Sequence, residues 1–178
     1  MHQIIVSSEI ILRSLKLEDA QALLNLVDQN RTFLEKWMCW VPDLKEFADA
    51  RAFINHNLKL LEDGKGYSFG IWLKGELIGE VGFMTIDDFN QVGNIGYWLA
   101  HEHQGKGFIT ESLKRLVEFG FSTLNLNRQE IRVALNNSRS NLIPGRLGFE
   151  KEGKLRKWGK FYDEFVDVYL YSKLKNDE

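Results

Sequence analysis

From Ile95 to Leu124 the chain passes from an apolar run, Ile95-Gly96-Tyr97-Trp98-Leu99-Ala100, through the turn His103-Gln104-Gly105-Lys106-Gly107 into a helical pattern carried by Leu113, Leu116, Val117, Phe121 and Leu124. A second short apolar run occupies residues 131–135. Strand, helix and strand in this order require a crossover, and hence a sheet with a helix packed on its face. The turn adds chemistry. Glycines permit φ > 0 and close approach by a ligand, and the first turn of a helix leaves several N–H groups without partners. Together they make an anion cradle, although a glycine pair before a helix is also ordinary loop chemistry.

Two nucleotide motifs are excluded by spacing. The chain contains no Gly-x-x-x-x-Gly-Lys-Ser/Thr run and no Gly-x-Gly-x-x-Gly followed by a suitably placed acid.

Periodicity supplies the remaining elements. Ile10 and Leu12 alternate with polar neighbours as a first strand, and residues 18–30 carry Ala22, Leu23, Leu26 and Val27 at helical spacing. Residues 31–45 read as a short helix and loop. Phe47, Ala50, Ile54, Leu58 and Leu61 form a second helical stripe that Gly64 and Gly66 end. Residues 67–73 and 77–85 read as strands joined by a hairpin at Lys74-Gly75-Glu76. Further strands are expected at 92–100, 131–135, 151–157 and 167–174, with helices at 108–123 and 140–147. The last residues, 175–178, read as a frayed tail.

With 178 residues, 44% of them hydrophobic, and no repeat or low-complexity linker, the chain reads as a single domain over 1–178. Twenty-three basic and 25 acidic residues leave a net charge of −2, which provides no general attraction to nucleic acid or to an anionic membrane. Cys39 is the only cysteine, so an intramolecular disulfide is impossible. The amino terminus lacks the basic start and long apolar core of a signal peptide, and no run approaches twenty apolar residues. A cytoplasmic, soluble protein is the expectation. His101 and His103 would share one side of an extended segment, but two histidines do not define a metal site, and His2 and His56 add nothing to them.

A second constellation lies downstream: Asn137-Ser138-Arg139-Ser140, then Ile143-Pro144-Gly145-Arg146-Leu147-Gly148-Phe149, then Glu152-Gly153-Lys154-Leu155-Arg156. Taken with Gly96-Tyr97-Trp98-Leu99 and Gln104-Gly105-Lys106-Gly107, it resembles the GNAT acetyltransferases, and within them the ribosomal-protein-serine N-acetyltransferase branch, over residues 10–174. The resemblance implies an α/β (α+β) fold. Its mixed, mostly antiparallel sheet of about seven strands is splayed between the fourth and fifth, at 92–100 and 131–135, with helices on both faces. It also implies acetyl-CoA as cosubstrate, a primary amine as acceptor and no metal, and it is compatible with a homodimer.

Site roles follow from the same resemblance. Gln104, Gly105, Lys106, Gly107, Phe108, Ile109 and Thr110 would hold the pyrophosphate, although Ile109 stands where the superfamily pattern has a small residue. Backbone groups of Trp98, Leu99 and Ala100 would bond the pantetheine arm, since an unpaired strand edge is a template for an amide-containing chain. The side chains of Tyr97 and Trp98 read equally as sheet packing or ligand contact. Asn137 would contact the pantetheine, its alternative being a loop or cap residue. Ser140 would stand near the departing thiolate, its alternative being a helix cap. Trp37 and Trp40 would line the acceptor groove, or serve in core or dimer contacts.

Three further positions depart from related enzymes: Pro144 replaces a tyrosine acid, Val133 a cysteine, and Asn94 a glutamate base. Asp87 resembles the branch's acidic position at the end of the third strand, its alternative being a solvated turn. The implied reaction is direct attack by a neutral amine on the thioester. The α-amine of a ribosomal protein is the expected acceptor. A polyamine, an amino acid or an aminoglycoside remains an alternative acceptor, and a coenzyme-A-binding sensor without turnover an alternative function.

Overall fold

The computed structural model describes residues 3–177, so His2 and Glu178 lie outside it. One eight-stranded sheet organises the chain: β1 (Gln3–Ile5), β2 (Ile10–Arg13), β3 (Tyr67–Leu73), β4 (Glu76–Asp87), β5 (Val92–Leu99), β6 (Arg128–Ala134), β7 (Glu150–Phe161) and β8 (Glu164–Leu174). Its spatial order is β1-β2-β3-β4-β5-β6-β8-β7. Every neighbouring pair is antiparallel except β5 and β6, which the crossover helix α3 (Phe108–Ser122) connects. The strand not expected from the sequence is β1, three residues paired with the outer edge of β2.

Helices cover both faces. On one side α1 (Ala20–Leu34) and α2 (Phe47–Glu62) bury Leu23, Val27, Leu34, Ala50 and Ile54 against Leu77 and Trp98 of the sheet. On the other, α3 packs Leu113, Leu116 and Val117 onto Phe69, Ile78, Phe83, Ile95 and Ile131. Gly120 permits that approach. A Cβ there would lie 2.5 Å from both Gln129 Nε2 and Phe83 Cζ, and Gln129 instead donates its amide to Val117 O at 2.9 Å. The short helix α4 (Ser138–Arg146) follows β6.

Helix α1 outlasts its expected end at residue 30 because Arg31 ties down the turn beyond it. The Arg31 guanidinium donates to Val41 O and Leu44 O, each at 2.7 Å. The hairpin between β3 and β4 turns on Lys74 (φ 51°) and Gly75 (φ 88°), the pair of left-handed residues that a two-residue turn requires. Strands β7 and β8 run longer than the expected 151–157 and 167–174 and form one extended hairpin.

The sheet parts where β5 meets β6. Register pairs run from Val92 with Arg128 to Ile95 with Ile131 and stop there, so Gly96 to Leu99 of β5 and Arg132 to Ala134 of β6 diverge. Among the described residues no helix is long and apolar enough to cross a membrane.

Candidate active site

The gap between β5 and β6 brings together the glycine turn, the end of β5 and the Asn137–Ser140 segment, whereas Asp87, Trp37 and Trp40 lie away from that cluster. At its outer end, Gly105 (φ 74°) and Gly107 (φ 85°) adopt left-handed conformations, and a Cβ on either would meet nothing within 4 Å. Gly107 caps α3 and has no side chain with which to satisfy the helix. The N–H groups of the first helical turn therefore have no side-chain cap, with the positive end of the helix dipole behind them, an arrangement suited to a phosphorylated ligand. Lys106 is exposed beside them.

Ala100 N–H donates to Ile78 O at 2.9 Å, toward β4. Strand alternation turns the main-chain groups of Trp98 the same way, and those of Tyr97 and Leu99 toward the gap. Leu99 O accepts from Gln104 Nε2 at 3.4 Å, while Gln104 Oε1 accepts from Arg139 Nη1 at 3.0 Å. Gln104 thus spans the mouth, from the end of β5 to α4. Arg139, which the sequence reading left without a role, is brought beside the glycine turn by this contact.

The inner wall is α4. Asn137 Oδ1 accepts from Ser140 N–H at 3.2 Å and so caps the helix, which leaves the Asn137 amide N–H groups as the part able to donate to a ligand. Asn141 fixes the same turn: its amide donates to Ala134 O at 3.0 Å and Asn137 O at 2.9 Å, and Tyr171 O–H donates to its Oδ1 at 2.9 Å. Ser140 Oγ lies 2.8 Å from the Tyr97 hydroxyl. Burial pushes the Tyr97 phenol up to about 12, so its proton stays on at any working pH.

The α1/α2 face of the gap is polar. Thr85, Ile86, Asp87, Asn90, Val92, Asn94, Glu130 and Arg132 line an open cleft of about 350 Å³. Its carboxylates are engaged. Asp87 accepts from Asn90 N at 3.0 Å and Asn90 Nδ2 at 2.7 Å, bonds that hold its pKa below the usual carboxylate value. Glu130 accepts from Arg128 Nε at 2.7 Å and pairs with Arg132. Asp87 pairs with Val92, five residues before Tyr97, which places it about 17 Å along the strand from the Tyr97–Ser140 contact at the usual rise.

Of the indoles, Trp40 packs between Phe53 and Trp98, at centroid distances of 5.2 and 5.9 Å. Trp37 is partly buried in the turn after α1. Trp98 Nε1 donates to Glu80 Oε2 at 3.1 Å, and Glu80 Oε1 accepts from Asn57 Nδ2 at 3.3 Å and from Ser68. Burial raises the Glu80 carboxyl above its usual range, an effect these hydrogen bonds oppose only in part. Glu80 escaped the sequence reading, yet its signal was present: a lone acid inside Leu77-Ile78-Gly79-Glu80-Val81-Gly82-Phe83.

His101–His103 forms a single 3-10 turn rather than an extended segment, and His101 packs edge-on to Phe33 at 5.2 Å. Among the described residues no group of three His, Cys, Asp or Glu side chains is placed to hold a metal.

Comparison with known families agrees with this geometry. The acetyltransferase (GNAT) domain model matches residues 9–150. The chain belongs to the GNAT acetyltransferase family.

This GNAT enzyme is 31% identical over 169 residues to the ribosomal-protein-serine acetyltransferase of Escherichia coli K12, covering 95% of this chain and 94% of the relative. The microcin C7 self-immunity acetyltransferase MccE, solved with acetyl-CoA and AMP, superposes with a TM-score of 0.91 at 32% identity, over 95% of this chain and 94% of that one. RimL, the ribosomal L7/L12 alpha-N-protein acetyltransferase, solved with coenzyme A, gives a TM-score of 0.93 at 26% identity, over 97% and 98%. The GNAT enzyme described here is an acetyl-CoA-dependent N-acetyltransferase.

Proposed function

We propose that this enzyme acetylates the N-terminal α-amine of a protein, with a ribosomal protein as the acceptor, by direct attack in a ternary complex. The observation that carries the reading is the state of the cleft: Asp87 is held by Asn90 and Glu130 by two arginines, while Asn94 cannot take a proton. A site whose carboxylates are so engaged suits an amine that is already neutral in appreciable amount. With a pKa near 7.8, roughly a tenth or more of an α-amine is neutral at pH 7, against about one in 2,500 for a lysine near 10.4. The likeness to the E. coli ribosomal-protein-serine acetyltransferase and to RimL supports the same acceptor class.

In this reading the amide-bearing arm of acetyl-CoA lies in the gap along β5 from Trp98 to Ala100, chiefly against Leu99, and the pyrophosphate sits on Gln104 to Thr110. Asn137 donates to the arm through its amide. The amine nitrogen attacks the thioester carbon, the C–S bond breaks with its electron pair going to sulfur, and Ser140 donates a hydrogen bond to the forming thiolate. Asp87, ionised at the cleft, attracts the ammonium form, and the proton itself is lost to solvent before attack. Trp37 and Trp40 flank the entering peptide.

A second reading is a small acceptor bearing a flat ring, favoured by the likeness to MccE, whose structure contains AMP. One experiment separates the two. The enzyme and acetyl-CoA are added to a cell lysate that lacks the enzyme, and newly acetylated protein termini are identified by mass spectrometry. Acetylation concentrated on one or a few ribosomal termini is expected. Acetyl transfer confined to the small-molecule fraction would overturn the α-amine reading.

A further inference from the structure

Ser140 sits one turn before the proline inside α4. In a regular helix its carbonyl would accept the N–H of residue 144, but that residue is Pro144, which has none. The carbonyl is met from outside the helix instead: the Tyr97 hydroxyl lies 3.3 Å from Ser140 O and 2.8 Å from Ser140 Oγ. One phenol on β5 therefore reaches both oxygens of one serine across the gap.

We infer that Tyr97 is a positioning residue for Ser140: the phenol's single hydrogen is directed chiefly at the nearer Oγ, with the carbonyl that Pro144 leaves without its helical donor as a longer, secondary acceptor, so that the serine hydroxyl proton points at the ligand. The inference rests on the reading of Ser140 as the group beside the departing thiolate. It adds the source of that hydroxyl's orientation, which comes from a strand rather than from α4 itself.

Donor strength decides the direction of the relay. A phenol is a better donor than an alkyl hydroxyl, and with its pKa pushed up to about 12 by burial Tyr97 keeps its proton throughout. Oγ then accepts one hydrogen and has its own left to give. The same comparison limits the chemistry. A thiol titrates near 8.5, so neither Tyr97 nor the still weaker acid Ser140 yields a proton to the thiolate outright. The pair stabilises developing charge on sulfur as hydrogen-bond donors, and the thiolate takes its proton from solvent. No bond to Tyr97 or Ser140 is made or broken.

The test is a double-mutant cycle on the full-length enzyme with acetyl-CoA and a peptide acceptor, reading kcat, both KM values and the melting temperature. Ser140→Ala is expected to lower kcat about ten- to a thousandfold, with KM for acetyl-CoA changed little. Tyr97→Phe, which keeps the ring and removes only the hydroxyl, is expected to lower kcat about five- to tenfold with KM within about twofold. Placed on Ser140→Ala, Tyr97→Phe should change kcat by less than about twofold, because nothing is left to orient.

Four results overturn the inference. A parent-like kcat in Tyr97→Phe does so while leaving Ser140 intact. A drop in melting temperature alone, with kcat unchanged, makes the hydroxyl merely structural. An undiminished loss in the double mutant means that Tyr97 acts independently of Ser140. A parent-like Ser140→Ala removes the reading of Ser140 itself, and the inference with it.

Discussion

The two sides of the β5–β6 gap are built from different material. Around Gly105 and Gly107 the walls are main chain: left-handed glycines, the open first turn of α3, and the strand edge at Leu99. Across the sheet, the cleft at Asp87, Asn94, Glu130 and Arg132 is built of side chains, with Asp87 held by the Asn90 turn and Glu130 paired with Arg128 and Arg132. A main-chain site binds what every member of a family shares, and its geometry depends on a few permissive positions. A side-chain site can be altered one residue at a time, and that is where acceptor choice can change while the cosubstrate stays the same.

The strongest way to break this contrast is Gly107→Val. Because a Cβ meets no protein atom within 4 Å, any defect comes from forcing a branched residue to φ 85° and from bulk on the ligand side. A free valine variant relaxes out of the left-handed region, and restoring that conformation on binding costs roughly 1–2 kcal/mol, so acetyl-CoA affinity measured by calorimetry should fall about five- to thirtyfold or more. Unchanged affinity in a folded variant would mean that the glycine turn is not a binding wall.

Asn137 sits on the border between the two kinds of site, since its oxygen orders main chain and its amide is free to donate. Asn137→Ala removes both and should raise KM for acetyl-CoA about fivefold, while lowering stability by about 1 kcal/mol through the lost cap. Asn137→Ser keeps a capping oxygen and should keep the stability while retaining most of the KM defect. If the serine variant binds acetyl-CoA like the parent, Asn137 belongs to the main-chain architecture alone.

The smallest expected effect is on the side-chain face. Glu80 is buried with its carboxyl pKa raised, so folding is favoured below the ordinary carboxyl value of about 4.3 and loses ground as pH rises through it toward the raised one. Glu80→Gln removes that penalty. The melting temperature should exceed the parent's at pH 8 and converge with it near pH 4. Because Glu80 also holds the Trp98 indole that packs on Trp40, KM for the acceptor should rise while KM for acetyl-CoA stays put. A rise in both would erase the distinction between the two sides.

What the sequence revealed divides along the same line. Strands β3 and β5 and helices α2 and α3 were legible because apolar spacing and glycines report backbone state directly. Strand β1 was not, being three residues long and paired on one edge only. The long hairpin of β7 and β8 was under-read because much of β7 is exposed and charged, and its register shifts twice, between Lys151 and Gly153 and between Leu155 and Gly159. The glycine turn announced itself. The Tyr97–Ser140 contact spans 43 positions and exists only once the crossover brings β5 beside α4, while the engagement of Asp87 and Glu130 depends on neighbours that no spacing rule identifies.

The parting of β5 from β6 also has a mechanical side. Among the described residues, four register pairs make up the whole strand ladder between the half-sheet ending at β5 and the half-sheet beginning at β6. A ligand seated between them would be riveted to both halves, and one that binds only the folded form stabilises it by about 2.7 kcal/mol at a hundredfold excess over its dissociation constant. The fuel of the reaction would then double as a splint: when acetyl-CoA runs short, the molecule becomes easier to pry open along this seam, and its lifetime comes to follow the supply it consumes.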